Sequence, residues 1–443
     1  MPLVIILLTA GLILSYKIDK PFWGHHDFNN VFYGNMARNL LRFPLASSKL
    51  GQIVFVDLPK PADVPTQFHT HHPPLLIWLL AISYGFLGIS EVSTRLVAVI
   101  FSLLTLIFFY RIVNRLLGRG VAIVALLFWI ITPIFIYFGK MAVHEPLIVF
   151  FFVFSFDQYL SWQQKNNFRS YLLMLAVLLL GGLTDWAGYY PPVVITLAYL
   201  LTERKFSRRL FLVILMPVFS MLLHLFHTKL LTGSLFGGGL AEIFTLRTGD
   251  VVGWGEYVKH ELVWITAYFT KPILLSSFAG LVLAFLFRKQ IVVYIFLFLL
   301  FGSLHLILVR QGVYGHDYQI YYLLPFICLS AAYFIKVVID LNGKTGGIIF
   351  LSIILLSLKL SLPFAKELVE GDRYRKSVEL GKYINAHSQS GEKILIDTSE
   401  YNGELDGWTI SYYADRVNVP TKSHDFSRFD EVFKIDSGGR IEY

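Results

Sequence analysis

The chain carries its reactive side chains in short polar stretches between long apolar ones. Trp-Gly-His-His-Asp-Phe-Asn-Asn, residues 23–30, sets His25, His26 and Asp27 directly after the first apolar segment. His-Thr-His-His-Pro-Pro, residues 69–74, adds His69, His71 and His72. Glu91 and Arg95 open one apolar run, His144 and Glu145 another, and Arg310, His316 and Asp317 precede a third. A carboxylate placed like Asp27 can take the proton of an attacking hydroxyl, and basic groups can hold an anionic leaving group. Each has a plainer reading: Asp27 as the cap of a helix over 28–41, Glu145 as an acid answering a helix dipole, Arg95 as a residue snorkelling at its helix end. The histidines raise a metal site, with His69, His71 and His72 as its ligands, because His-x-His-His can present several imidazoles. We favour no metal, since a polar interfacial loop produces the same cluster.

The elements that position these groups follow from composition. The chain is 55% hydrophobic and only 15% charged, which excludes an ordinary soluble domain and leaves a polytopic membrane protein. Apolar runs at 3–16, 94–117, 120–138, 145–160, 170–183, 187–201, 209–231, 266–287, 291–309, 318–335 and 346–363 predict about eleven transmembrane helices. The first is read as a retained helix, because residues 1–16 have no basic leader and no small-residue cleavage site. The single cysteine, Cys328, has no partner for a disulfide or a cysteine-based zinc site. The net charge of +8 does not point to nucleic acid, because the basic residues fall in short loops and report topology.

Arg111/Arg115/Arg119, Lys165/Arg169, Arg204/Lys205/Arg208/Arg209, Arg288/Lys289 and Lys336/Lys344 recur at every second connection, which makes those loops cytoplasmic. The other connections then face outward, as does the tail. Residues 17–93 become one long external loop in which 73–89, short and opened by Pro73 and Pro74, lies in the membrane plane as a helix. Asp27, Glu145 and the other polar groups named above then share the outer face. The expected organisation is all-α over residues 1–364, with in-plane helices in the first external loop, and a small extracytoplasmic α/β module over 365–443. Within the module, 377–387 reads as an amphipathic helix and Lys393–Ile396 as a strand.

The order of "HHD", "HHPPLLIWLLAISYGFLGISEVSTRL", "RLLGRG", "MAVHEPLIVFF" and "YGHDYQIYYLLPF" along residues 1–340 resembles the GT-C superfamily of membrane glycosyltransferases. It is similar above all to protein O-mannosyltransferases, aminoarabinose transferases and bacterial relatives of unknown acceptor. The resemblance implies a hexosyl- or pentosyltransferase of a bacterial inner or plasma membrane. Such an enzyme moves a sugar from a polyprenyl-phosphate donor to a glycan, lipid or protein acceptor on the extracytoplasmic face by single displacement. Asp27 matches the family's acidic position after the first span and Glu145 its second, which makes them the expected catalytic pair. His71, His72, Arg95, Arg310, His316 and Asp317 are the expected substrate-binding residues, with Lys271 a further external cation. The aminoarabinose transferases tend to have lysine where this chain has His72, so the phosphate ligand departs from that pattern. No cofactor is required by this reading, a divalent metal being the alternative. The rival function is a lipid or solute transporter or flippase, but no inverted repeat supports it.

Overall fold

Apolar sequence continuous enough to bury helices on all sides produces a helical bundle with one small sheet at its C-terminal end. The computed structural model describes residues 1–54, 68–204, 206–249, 252–287, 289–389, 392–401, 403–421 and 431–442. Lys205 and Arg288, two of the basic loop residues, and residues 55–67 of the first loop lie outside them. Among the described residues five helices are long and apolar enough to cross a bilayer: Glu91–Leu117, Arg208–Thr232, Gln290–Leu308, Asp317–Leu341 and Gly343–His387. A sixth results if Trp254–Phe269 and Lys271–Phe287, bent by 105°, count as one span. Pro2–Ser15, Arg119–Ile130 and Phe168–Gly182 are apolar but shorter than a full crossing. The expectation of about eleven spans counted such helices too, so the helical membrane architecture stands while that number does not follow from length and composition.

Local chemistry explains where helices stop. Ser90 and Ser93 form a reciprocal capping box at the head of Glu91–Leu117, and Gly118, at φ +90°, turns the chain before Arg119–Ile130. The run expected as one span at 120–138 breaks at Thr132, because Pro133 lacks the amide hydrogen an uninterrupted helix would need. The run at 266–287 also breaks. Thr270 sits at φ +63°, Pro272 opens the next helix, and the preceding segment Trp254–Phe269 is itself helical. Asp317–Leu323 is a 3-10 turn leading into Leu324–Leu341, which has Pro325 in its first turn. Leu75–Leu87, 13 residues long, reaches only about 20 Å, short of a bilayer core.

Within the bundle, aromatic side chains of helices His144–Lys165 and Lys289–Leu308 interdigitate. Phe152 stacks on Phe301 with centroids 3.8 Å apart, and Phe298 meets Phe152 edge-on at 5.0 Å. Small residues bring helices close elsewhere: a side-chain carbon at Gly280 would lie 1.9 Å from the backbone oxygen of Ser330, whose hydroxyl donates to Ser277 O at 2.6 Å.

The sheet consists of β1 (Lys393–Asp397), β2 (Val417–Thr421), β3 (Glu431–Ile435) and β4 (Ile441–Glu442), in the order β2-β1-β3-β4. β2, β1 and β3 run parallel and β4 pairs antiparallel to β3. Leu380 and Ile384 of helix Arg375–His387 pack on Ile394, Ile396 and Phe433, with Ile410 from helix Gly407–Ala414. This unit grips the first loop. Arg38 donates to Tyr412 O at 3.0 Å, Arg42 pairs with Asp415 at 2.6 Å, and the Tyr413 hydroxyl donates to Glu91 at 2.8 Å.

Candidate active site

Asp27 sits at the N-terminus of helix Phe28–Arg42 and is only 4% exposed. Its side chain does not cap that helix. Oδ2 instead accepts from Gly24 N at 2.8 Å and Oδ1 from Asn30 Nδ2 at 2.7 Å, while Arg95 Nη2 approaches at 3.3 Å. The helix-cap reading of Asp27 is therefore overturned, because nearer donors claim its oxygens. The snorkelling reading of Arg95 also fails, because acceptors hold its guanidinium inward: it donates to Ile18 O at 2.8 Å and to Lys20 O. Asn30 Oδ1 also accepts from Ala142 N at 2.8 Å, which ties the acid to the loop that leads into His144 and Glu145.

Around Asp27 opens a small cleft lined by Lys17, Lys20, Arg95, Tyr137 and Lys140. Burial, opposed by Asp27 and reinforced by Arg95, pushes the Lys20 ammonium down to about 8. Burial and then Arg95 push Lys140 down to about 7. Burial thus disfavours the cationic form of both lysines, which donate to backbone oxygens, Lys20 to Val369 O at 2.7 Å and Lys140 to Tyr16 O at 2.5 Å, and an incoming anion would favour that form. Sequence reasoning named neither, nor Lys17. The available signal was their place: they are basic residues on connections that the loop charges assign to the side where lysine is disfavoured.

A second polar cluster surrounds His72. Its Nδ1 lies 2.6 Å from Asp185 Oδ1, and the Tyr322 hydroxyl donates to Asp185 Oδ2 at 3.4 Å. Leu75 N donates to Leu183 O at 3.0 Å, so helix Leu75–Leu87 and the turn before Trp186–Tyr189 carry His72 and Asp185 together. His72 also stacks on His144, with centroids 4.6 Å apart. Burial drives the His72 imidazole down to about 4 despite Asp185, and burial with the Arg247 charge takes His71 down to about 4. The neutral His72 ring then donates from Nδ1 to the carboxylate. Glu145 is buried in the first turn of His144–Lys165, and its Oε2 has no hydrogen-bond partner among the described residues. Arg247, which sequence reasoning also missed, lies with its guanidinium 5.8 Å from the Trp186 ring.

The remaining expected residues divide. Asp317 joins His25 and His26: His25 Nε2 is 2.8 Å from Oδ2 and His26 Nε2 is 2.9 Å from Oδ1. His316 Nδ1 donates to Gly312 O at 2.6 Å, and its ring stacks toward His26. Arg310 places its guanidinium 4.2 Å from the Trp254 ring, and Lys271 is exposed. Neither lines the Asp27 cleft. His69, His71 and His72 lie near one another, with ring centroids 4.3 Å apart for His69 and His71, but the compact group of metal-ligating atoms among the described residues is His25, His26 and Asp317.

Residues 71–227 match the family described as dolichyl-phosphate-mannose-protein mannosyltransferase. No curated protein sequence matches the chain. Among solved structures, ArnT from Cupriavidus metallidurans bound to undecaprenyl phosphate is similar with a TM-score of 0.66 at 14% identity, over 95% of this chain and 86% of that one. Its apo form gives 0.65 at 12% identity with the same coverage. The Archaeoglobus fulgidus oligosaccharyltransferase, in complex with Zn and sulfate, gives 0.62 at 16% identity over 95% of this chain. The chain spans 62% of that archaeal protein. The family match over residues 71–227 and the shared fold agree with the resemblance to GT-C membrane glycosyltransferases that the order of the motifs indicated.

Proposed function

We propose that the protein transfers a sugar from a polyprenyl-phosphate donor to an acceptor hydroxyl by single displacement. The observation that carries this reading is the buried carboxylate of Asp27 on the wall of a cleft lined by Lys17, Lys20, Arg95 and Lys140. The cations receive the donor phosphate, and its anomeric carbon then lies beside Asp27. The bond from that carbon to the phosphate oxygen breaks as the acceptor oxygen bonds to the carbon. The acceptor proton passes to Asp27, and polyprenyl phosphate leaves with its charge held by the lysines and Arg95. Glu145, with one buried oxygen unclaimed, orients the acceptor, and the His72–Asp185 pair keeps that wall in place. Similarity to ArnT bound to undecaprenyl phosphate supports the donor class.

The positive loops support an extracytoplasmic site, with Leu75–Leu87 lying along the outer membrane plane and residues 365–443 clamping the first external loop from the same side. Donor binding is the direct test. Purified protein in nanodiscs, titrated with undecaprenyl phosphate and read by native mass spectrometry, retains one lipid phosphate per chain. A Lys20→Met/Lys140→Met variant loses about tenfold or more in affinity, the scale of two charge-assisted contacts. Equal retention by the variant would remove the cleft from the reading.

A further inference from the structure

We propose that His25, His26 and Asp317 form a binding site for one divalent transition-metal ion of the zinc class. One ligand atom from each of the three residues lies within 4.8 Å of the others, although 292 positions separate His25 from Asp317. Adjacent residues on an extended backbone point their side chains apart. Here His26 takes φ +55°, a left-handed conformation that a residue with a side chain adopts reluctantly, and the two imidazoles come to the same side with centroids 4.1 Å apart. Tyr137 donates to His25 O and so fixes the turn that brings both rings to one carboxylate.

Hydrogen bonding alone accounts for only half of the cluster. Asp317 Oδ2 accepts from the Tyr268 hydroxyl at 2.7 Å and faces His25 Nε2. Oδ1 lies 2.9 Å from His26 Nε2, yet the approach misses hydrogen-bond alignment, leaving a buried carboxylate oxygen unsatisfied with its side chain only 3% exposed. A cation between the three groups would satisfy it. Zinc holds nitrogen and oxygen ligands at about 2.0–2.2 Å, which puts tetrahedral ligand atoms roughly 3.4 Å apart, so the contacts need to open by only about half an ångström. Tyr268 supplies the outer hydrogen bond that orients a ligating carboxylate. Two imidazoles and one carboxylate leave a fourth position open, and His25 and His26 are 28% and 16% exposed, which gives the ion a way in. Imidazole-rich coordination favours zinc, cobalt or nickel over magnesium and calcium. The proposal stands independently of sugar transfer.

The test uses tag-free, full-length protein in detergent, stripped with a chelator and titrated with Co²⁺, whose visible ligand-field bands report coordination geometry. We expect about one Co²⁺ per chain, with bands typical of four-coordination that Zn²⁺ abolishes. His26→Ala and Asp317→Asn each weaken binding roughly tenfold or more, while His71→Ala titrates like the wild type. Zinc-edge X-ray absorption on the wild type shows imidazole scattering without sulfur, a result that needs no variant to fold. No stoichiometric Co²⁺ uptake by the wild type, or loss of binding in His71→Ala with retention in a folded His26→Ala variant, would overturn the site.

Discussion

At the scale of single residues, the cleft depends on lysines that burial has made easy to deprotonate. Lys140, lowered to about 7, and Lys20, lowered to about 8, are cationic below those values and neutral above them. Affinity for a lipid phosphate should therefore fall as pH rises from 6 to 9, a range in which ordinary lysines near 10.4 would change nothing. Isothermal titration with undecaprenyl phosphate in nanodiscs at those two pH values checks it, and a flat profile would count against the lysines as ligands. The His72–Asp185 pair yields a second expectation. Asp185→Ala strands a buried imidazole donor and should lower stability by about 1–3 kcal/mol, whereas Asp185→Asn leaves an acceptor in place and costs less. Thermal unfolding of both variants in detergent decides between a packing role and this hydrogen bond. Much of this chemistry was legible in the sequence by type, but partnership was not. Asp27 and Arg95 are each readable as polar groups at helix heads, yet only the fold shows that 68 positions of chain close to put one against the other.

At the scale of elements, the sequence conveyed helices better than their interruptions. The apolar run at 94–117 announced Glu91–Leu117, though not its Ser90 cap, and the amphipathic stretch at 377–387 announced helix Arg375–His387 over β1. Hydropathy could not separate Arg119–Ile130 from Pro133–Phe138 or show Trp254–Phe269, because apolar composition persists across Thr132 and Thr270 while the backbone turns. Ser411-Tyr412-Tyr413 lies in helix Gly407–Ala414, where Ile410 and Ala414, flanking it on one face, reach the module core. Close packing at Gly280 gives an element-scale expectation. Gly280→Leu forces Lys271–Phe287 away from Leu324–Leu341 and should destabilise the bundle by about 1–3 kcal/mol or more, seen as a lower midpoint of detergent thermal unfolding. An unchanged midpoint would mean that these helices do not meet closely at Ser330.

At the scale of the whole molecule, a helical membrane body and a C-terminal sheet converge on the first loop, and their common product is the position of Asp27. The sheet unit holds helix Phe28–Arg42 through Arg38 and Arg42, and Arg95 of a membrane helix holds its first turn. Topology is tested by cysteine substitution at the exposed Ser47 in a Cys328→Ala background. An in-plane helix leaves Ser47 labelled by an impermeant maleimide from outside intact cells, whereas a spanning 73–89 segment would put residues 17–72, Ser47 among them, in the cytoplasm, unlabelled. The central claim is sugar transfer at Asp27, and one measurement meets it directly. Purified protein in liposomes is supplied with candidate polyprenyl-phosphate sugars and a cell-envelope extract as acceptor, and release of polyprenyl phosphate is followed for wild type and Asp27→Asn. The account predicts release by the wild type from one donor class and a loss of about 10²-fold or more in the variant, with fold intact by circular dichroism. Release at the wild-type rate by Asp27→Asn would contradict it.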